Sequence, residues 1–90
     1  MIIRIERYFD KDVSKIRNKK LLQELRNIIS VIEDVDFIHE IPHTKKIEGY
    51  KSYYRVKLGD YRLGIEKVSN QEVKLIRFLH RKEIYRYFPR

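Results

Sequence analysis

Cysteine is absent from this 90-residue chain. Its lack excludes disulfide staples, thiolate zinc sites and cysteine nucleophiles, and it suits an intracellular protein. Long apolar runs are missing as well. Nothing approaches a signal sequence's hydrophobic region or a membrane span, and the opening Met1-Ile2-Ile3-Arg4-Ile5-Glu6 is charged by its fourth residue. A soluble, untargeted, cytoplasmic protein with no membrane partner is the expectation. There is no glycine-rich phosphate loop, no G-x-S-x-G elbow and no paired-carboxylate arrangement, so neither a nucleotide cofactor nor another small-molecule cofactor is expected. Acidic residues are scarce: 13 Asp and Glu stand against 21 Lys and Arg, a formal net charge of +8. Such an excess raises the local concentration of anions, so the partner classes are nucleic acid, an anionic membrane surface or an acidic protein. Hydrophobic residues make up 42% of the chain and aromatics 12%, the apolar material that disordered basic tails lack. At this length one folded domain over residues 1–90 is expected, with a single core.

The periodicity of the apolar residues changes along the chain. Ile3 and Ile5 alternate with Arg4 and Glu6, which predicts a strand over 2–7. Phe9, Val13 and Ile16 fall at helical spacing, with Asp10 and Asp12 near the start where the helix dipole favours acid. After Asn18, the stripe Leu21, Leu22, Leu25, Ile28, Ile29 and Ile32 predicts a second helix over 19–34. Two such helices form a hairpin whose apolar stripes face a sheet. From Asp36 to Ser52, a stretch containing Pro42 and Gly49, no period persists and a long connection is expected. Tyr54, Val56 and Leu58 then alternate with charged residues, Gly59-Asp60 reads as a two-residue hairpin turn, and Tyr61, Leu63 and Ile65 resume the alternation. That loop fixes the register, pairing Leu58 with Tyr61, Lys57 with Arg62, Val56 with Leu63, Arg55 with Gly64 and Tyr54 with Ile65. Ser69-Asn70-Gln71 makes the next turn, before a central strand over 73–79. If Val68 pairs with Val73, Ile76 and Phe78 join the core and Arg77 faces outward beside Gly64. Residues 81–88 are expected to form two turns of helix, ended by Pro89. The fold class is thus α+β, in the order β-α-α-β-β-β-α, with an antiparallel sheet packed on an N-terminal helical hairpin.

The predicted register gathers Arg55, Lys57 and Arg62 on the sheet face away from the helices, around a glycine that has no side chain. Like charges directly opposite each other weaken a sheet, so stability does not account for the Lys57-Arg62 pair. Lys45, Lys46 and Lys51 precede this face, Arg77 extends it, and Tyr53, Tyr85 and Tyr87 add aromatic surface, with Arg86 among them. Cations interleaved with aromatics suit single-stranded RNA, whose phosphates pair with Arg and Lys and whose bases stack on rings. The basic helix stripe Lys11, Lys15, Lys19 and Lys20 reads as solvated surface. His39-Glu40-Ile41-Pro42-His43 matches the H-E-x-x-H pattern of zinc proteases, but Pro42 disfavours the helix that would put both histidines on one face, and no metal site is expected.

Three runs, Lys46-Ile47-Glu48-Gly49, Tyr54-Arg55-Val56-Lys57-Leu58-Gly59-Asp60-Tyr61-Arg62-Leu63 and His80-Arg81-Lys82-Glu83-Ile84-Tyr85, resemble the RelE/ParE superfamily of toxins from toxin-antitoxin pairs. The predicted order of elements resembles that family over essentially the whole chain. The resemblance implies a ribosome-dependent endoribonuclease that cuts messenger RNA, with mRNA, the ribosome and a cognate antitoxin as its partners. It also leaves open a ParE-like toxin that inhibits DNA gyrase, or an RNA-binding member without activity. Residue by residue, it puts the family's basic strand positions on Arg55 and Lys57, its post-turn arginine on Arg62, its arginine after the last strand on Arg81, and its C-terminal tyrosine on Tyr85. RNA can be cut without metal when its 2′-hydroxyl attacks the adjacent phosphate. Lys57 is then the candidate base, with Arg55 and Arg62 beside it. The two arginines would stabilise the phosphorane. Arg81 or His80 would assist the leaving oxygen, the histidine on general grounds and the arginine by resemblance. Tyr85 would stack on a base. The family often has lysine where Arg55 stands; an arginine cannot act as base at ordinary pH, which narrows Arg55 to phosphate binding.

Overall fold

The alternating apolar residues of the N-terminus form an edge strand, β1 (Ile2–Ile5), in a computed structural model that describes residues 1–89. Arg90, the last residue of the domain expected over 1–90, lies outside the described residues. The backbone N–H of Glu6 still donates to the Leu75 carbonyl at 3.0 Å, while the Glu6 carbonyl already accepts from Asp10 at 3.2 Å. Helix α1 (Arg7–Ser14) therefore starts at Arg7, and the strand is shorter than the span 2–7. Helix α2 (Lys19–Asp34) has the predicted bounds. Asn18 caps it, its Oδ1 accepting from the Leu21 N–H at 3.1 Å, a type of contact worth about 1 kcal/mol. Leu25, Ile28 and Ile32 make its buried stripe. At its other end the amino group of Met1 donates to the carbonyls of Ile32, Glu33 and Val35.

The connection from Asp36 to Ser52 holds more structure than its lack of period suggests. Ile38–Glu40 form one 3₁₀ turn, with Ile38 and Ile41 buried, and Thr44–Lys46 form a short strand, β2. A strand of three residues is too brief to show alternation, and its two lysines suit an edge that must not recruit another chain. Strands β3 (Tyr53–Leu58) and β4 (Tyr61–Ser69) form the hairpin in the predicted register at every pair from Leu58↔Tyr61 to Tyr54↔Ile65. Gly59 adopts φ +57°, at the turn position where a two-residue hairpin loop favours glycine. Strand β5 (Glu72–His80) and the single helical turn α3 (Ile84–Tyr87) complete the chain. The expected two turns reduce to one because residues 81–83 are spent on the turn out of β5 and Phe88 is extended.

The sheet order is β1-β5-β4-β3-β2. The α+β class agrees with the sequence analysis, and so does the order of elements apart from the added strand β2; two further details differ. First, β1 pairs with β5 in parallel, Ile2↔Glu72 through Ile5↔Leu75, so the sheet is mixed at that edge. The helices carry the chain from one edge to the other, and three reversals return it to β1 running the same way. Second, Gly64 faces Arg77 while Ile65 faces Leu75, which leaves Ile76 as an extra residue on β5, a bulge. The core face of β5 is therefore Val73, Leu75 and Phe78, and Ile76 is not part of the buried core. Likewise Lys67, not Val68, faces Val73, and Val68 is the exposed extra residue of β4.

The core lies on one side of the sheet, where Val56, Leu58, Leu63, Ile65, Val73, Leu75 and Phe78 meet Phe9, Leu25, Ile28, Ile32, Ile38 and Ile41. Because β1 stops at Ile5, α1 covers the outer edge of β5 beyond it. There the Asp12 carboxylate accepts the Phe78 backbone N–H at 2.9 Å and both Nε and Nη2 of Arg77, at 2.8 and 2.9 Å. One buried acid thus satisfies three donors.

Candidate functional site

The face of the sheet opposite the core carries the cations. Arg62 and Lys57 are direct cross-strand partners, and Arg55 lies two residues along β3, opposite Gly64. Cross-strand partners place their Cβ atoms about 5 Å apart. Both arginines are held by backbone carbonyls. Arg62 Nη1 donates to the carbonyls of Gly59 at 2.8 Å and Tyr61 at 2.9 Å. Arg55 Nη1 donates to the His43 carbonyl at 2.9 Å, an oxygen that also accepts the Lys57 backbone N–H at 3.1 Å. Among the described residues none of the three cations pairs with a carboxylate. A neutral carbonyl orients a guanidinium without cancelling its charge, which leaves the positive field for an incoming anion. The face thus offers fixed hydrogen-bond donors and an exposed ammonium, a set able to hold a phosphodiester and its developing charge.

Other residues of the sequence analysis frame this cluster. Lys45 is the cross-strand partner of Arg55 on β2, and with Lys46, Glu48 and Tyr85 these residues line a groove of about 290 Å³. Tyr85 is 59% exposed, with its ring free to stack. Arg81 follows β5; its backbone N–H donates to the Asp60 carbonyl at 2.7 Å and its guanidinium lies 3.9 Å from the Asp60 carboxylate, at the hairpin end that also holds Arg62. Tyr53 stands edge-on to both Tyr50 and Phe88. Arg86 is exposed and paired with Glu83 at 3.7 Å. Lys51 is exposed in the bend before β3, outside the groove.

Three expectations change. Arg77 does not extend the basic surface: it is locked on Asp12 and lies between the rings of Tyr8 and Tyr87, 5.2 Å from each centroid. The hydrogen bonds it donates to Asp12 hold its pKa above the ordinary arginine value, against the opposing effect of burial. The alternation of β5 puts His80 opposite Tyr61, on the other face from Lys57 and Arg62. Its ring meets Tyr61 edge-on, and its Nδ1 accepts the Lys82 backbone N–H at 3.1 Å. The structure therefore does not bring His80 to the cluster. Gly64, expected among the cations as a residue without a side chain, is covered by Phe88, whose ring lies 2.7 Å from where a Cβ would stand. The histidines of the H-E-x-x-H match are separated as Pro42 implies, His39 in the 3₁₀ turn and His43 at φ +58°.

His43 is the residue that sequence reasoning missed. Its left-handed backbone aims the carbonyl that holds Arg55, and only the adjacent Pro42 hinted at an irregular conformation there. Lys11 and Lys15, read as solvated surface, flank a second cleft.

A helix pair thus lies on one side of a five-stranded sheet, and a cationic cluster without carboxylate partners among the described residues lies on the other. A sequence model of the family described as "ParE toxin of type II toxin-antitoxin system, parDE" matches residues 3–85. The curated Toxin RelE3 of Methanocaldococcus jannaschii is 37% identical over 82 residues, 90% of this chain and 91% of that protein. A RelB-RelE antitoxin-toxin complex from Methanococcus jannaschii superimposes with a TM-score of 0.79 at 34% identity, covering 96% of this chain and 99% of the other. The archaeal RelE-RelB complex of Pyrococcus horikoshii shares the fold, with a TM-score of 0.72 at 20% identity over 92% of this chain and 97% of its own. The chain belongs to the RelE/ParE superfamily of toxins.

Proposed function

We propose that the protein is the toxin of a RelBE-type pair: a single-domain, ribosome-dependent endoribonuclease that cuts mRNA without metal and is neutralised by a cognate antitoxin. The observation that carries this reading is the one-sided cluster of Arg55, Lys57 and Arg62, anchored by carbonyls and unpaired with any carboxylate among the described residues. In the proposed reaction the 2′-hydroxyl attacks the adjacent phosphorus and Lys57 accepts its proton. Arg55 and Arg62 donate to the phosphorane oxygens, a preorganised contribution commonly worth several kcal/mol. The bond to the 5′-oxygen breaks, leaving a 2′,3′-cyclic phosphate; Arg81 donates a hydrogen bond to the departing oxygen, which takes its proton from water to become the 5′-hydroxyl. With His80 turned to the other face, Arg81 is the better placed of the two candidates. Tyr85, exposed beside Arg55, stacks on a base and holds the backbone splayed for in-line attack. An acidic antitoxin covering this face would mask the cluster, and the ribosome as target places the protein in the cytoplasm.

The test is 5′-end mapping of transcripts after induction, with the Arg62→Ala variant as control. Cuts inside translated codons that vanish in the variant support the reading. Arrest with DNA damage and intact messages would favour a gyrase inhibitor instead, the reading suggested by the family description's ParE name. No arrest would leave an inactive RNA-binding member.

A further inference from the structure

A second cleft, about 700 Å³, opens on the same side of the sheet as the cationic cluster, between α1 and the C-terminal turn. Its walls are aromatic: Tyr8, Tyr53 and Tyr87, with Lys11 and Lys15 at the α1 side. Tyr8 and Tyr87 each lay one ring against the Arg77 guanidinium yet remain 59% and 41% exposed. Arg77 is consumed by Asp12, so the floor is a neutralised, rigid pair. Glu6 and Glu66 also line the cleft, and Glu6 is 3.5 Å from Lys74. Lys11 and Lys15 enter no ion pair among the described residues; they are one helical turn apart, about 6 Å along the axis. Exposed aromatic rings beside unpaired cations are the elements that bind unpaired nucleotides, rings for the bases and ammonium groups for the phosphates. A volume of this size is in the range that takes a nucleotide-sized ligand.

The cleft also adjoins the cluster along β3. Lys57, Arg55 and Tyr53 are successive same-face residues of β3, about 7 Å apart. Tyr53 lines the aromatic cleft, while Arg55 lines the groove beside Tyr85. We propose that the cleft between α1 and the C-terminal turn is a second nucleotide subsite. It takes a single-stranded RNA nucleotide flanking the scissile bond, its base against Tyr53 and Tyr87 and its phosphate at Lys11 and Lys15. This rests on the reading of the cluster as an RNA site and adds the path of the strand beyond it.

The test is photocrosslinking of the full chain to an uncleavable 2′-O-methyl RNA hexamer carrying one 4-thiouridine, moved through all six positions, with crosslinked peptides identified by mass spectrometry. Crosslinks to the Tyr53 or Tyr87 peptide are expected from a nucleotide next to the one that labels Tyr85. The exposed double variant Lys11→Ala/Lys15→Ala should reduce the cleft crosslinks about tenfold and leave the Tyr85 crosslink within about twofold. Crosslinks confined to Tyr85, or cleft crosslinks indifferent to the two lysines, would overturn the subsite, and the cleft would then fall to a peptide of the antitoxin. Cleavage is scored separately on programmed ribosomes. Crosslinks in the cleft without cleavage would sink the nuclease reading alone, whereas cleavage without them would sink the subsite alone.

Discussion

Lys57 and Arg62 face each other across two strands, an arrangement that sheet stability alone would select against. If Lys57 accepts the proton of the attacking hydroxyl, Lys57→Ala should lower the cleavage rate on programmed ribosomes by about 100-fold or more. Ribosome binding should change far less, and equal losses in the two assays would remove the catalytic assignment. His43 tests how the site is held. Its φ of +58° suits glycine and burdens a β-branched side chain by about 1–2 kcal/mol. His43→Gly should therefore keep cleavage close to wild type. His43→Val should release Arg55 from the carbonyl and weaken RNA binding severalfold in a filter-binding titration; matching behaviour of the two variants would show that the imidazole, not the backbone, matters. The cations themselves could be read from the sequence because strand alternation sorts side chains by face. The carbonyls that hold them could not, since every residue has one and only the folded backbone decides where it points.

At the scale of elements, the hairpin β3–β4 was legible to the individual pair, because a two-residue turn leaves no freedom of register. Strand β2 was hidden by its brevity, and the phase of β5 by its bulge. In the C-terminal segment the Phe88 ring packs on the bare backbone of Gly64, beside the buried Ile84. Gly64→Ala should push that ring aside and destabilise the protein by about 1–3 kcal/mol in urea denaturation. In the Phe88→Ala background the same substitution should cost much less, and simple additivity of the two would contradict the contact. The Asp12 carboxylate joins α1 to β5 through three hydrogen bonds. Asp12→Ala should cost about 3–5 kcal/mol, because it strands a largely buried guanidinium and a buried amide. A loss below about 1 kcal/mol would mean that water takes over those bonds.

For the molecule as a whole, the formal charge of +8 is unevenly used. Part of it is tied up inside, at Arg77, and part is left open on the face with Arg55, Lys57 and Arg62. Association with a polyanion should therefore weaken steeply with salt. Lys46→Ala should lower the slope of log affinity against log salt by about 0.7, the share of one phosphate contact on a single strand. An unchanged slope would place Lys46 outside the RNA path. Net charge announced a polyanionic partner class from composition alone; which cations remain available depended on where the few acids fell, and Asp12 claims its arginine across 65 residues of sequence.

The extra residue at Ile76 sets the phase of everything that follows it in β5. Strict alternation from Val73 and Leu75 would send the Arg77 guanidinium inward among aliphatic side chains and turn Phe78 out to water. One inserted residue reverses that parity and keeps both side chains on their proper faces. Deleting Ile76 would leave Leu75, Arg77 and Phe78 in plain alternation, inward, outward and inward, so the strand could lose its kink without exchanging its two sides.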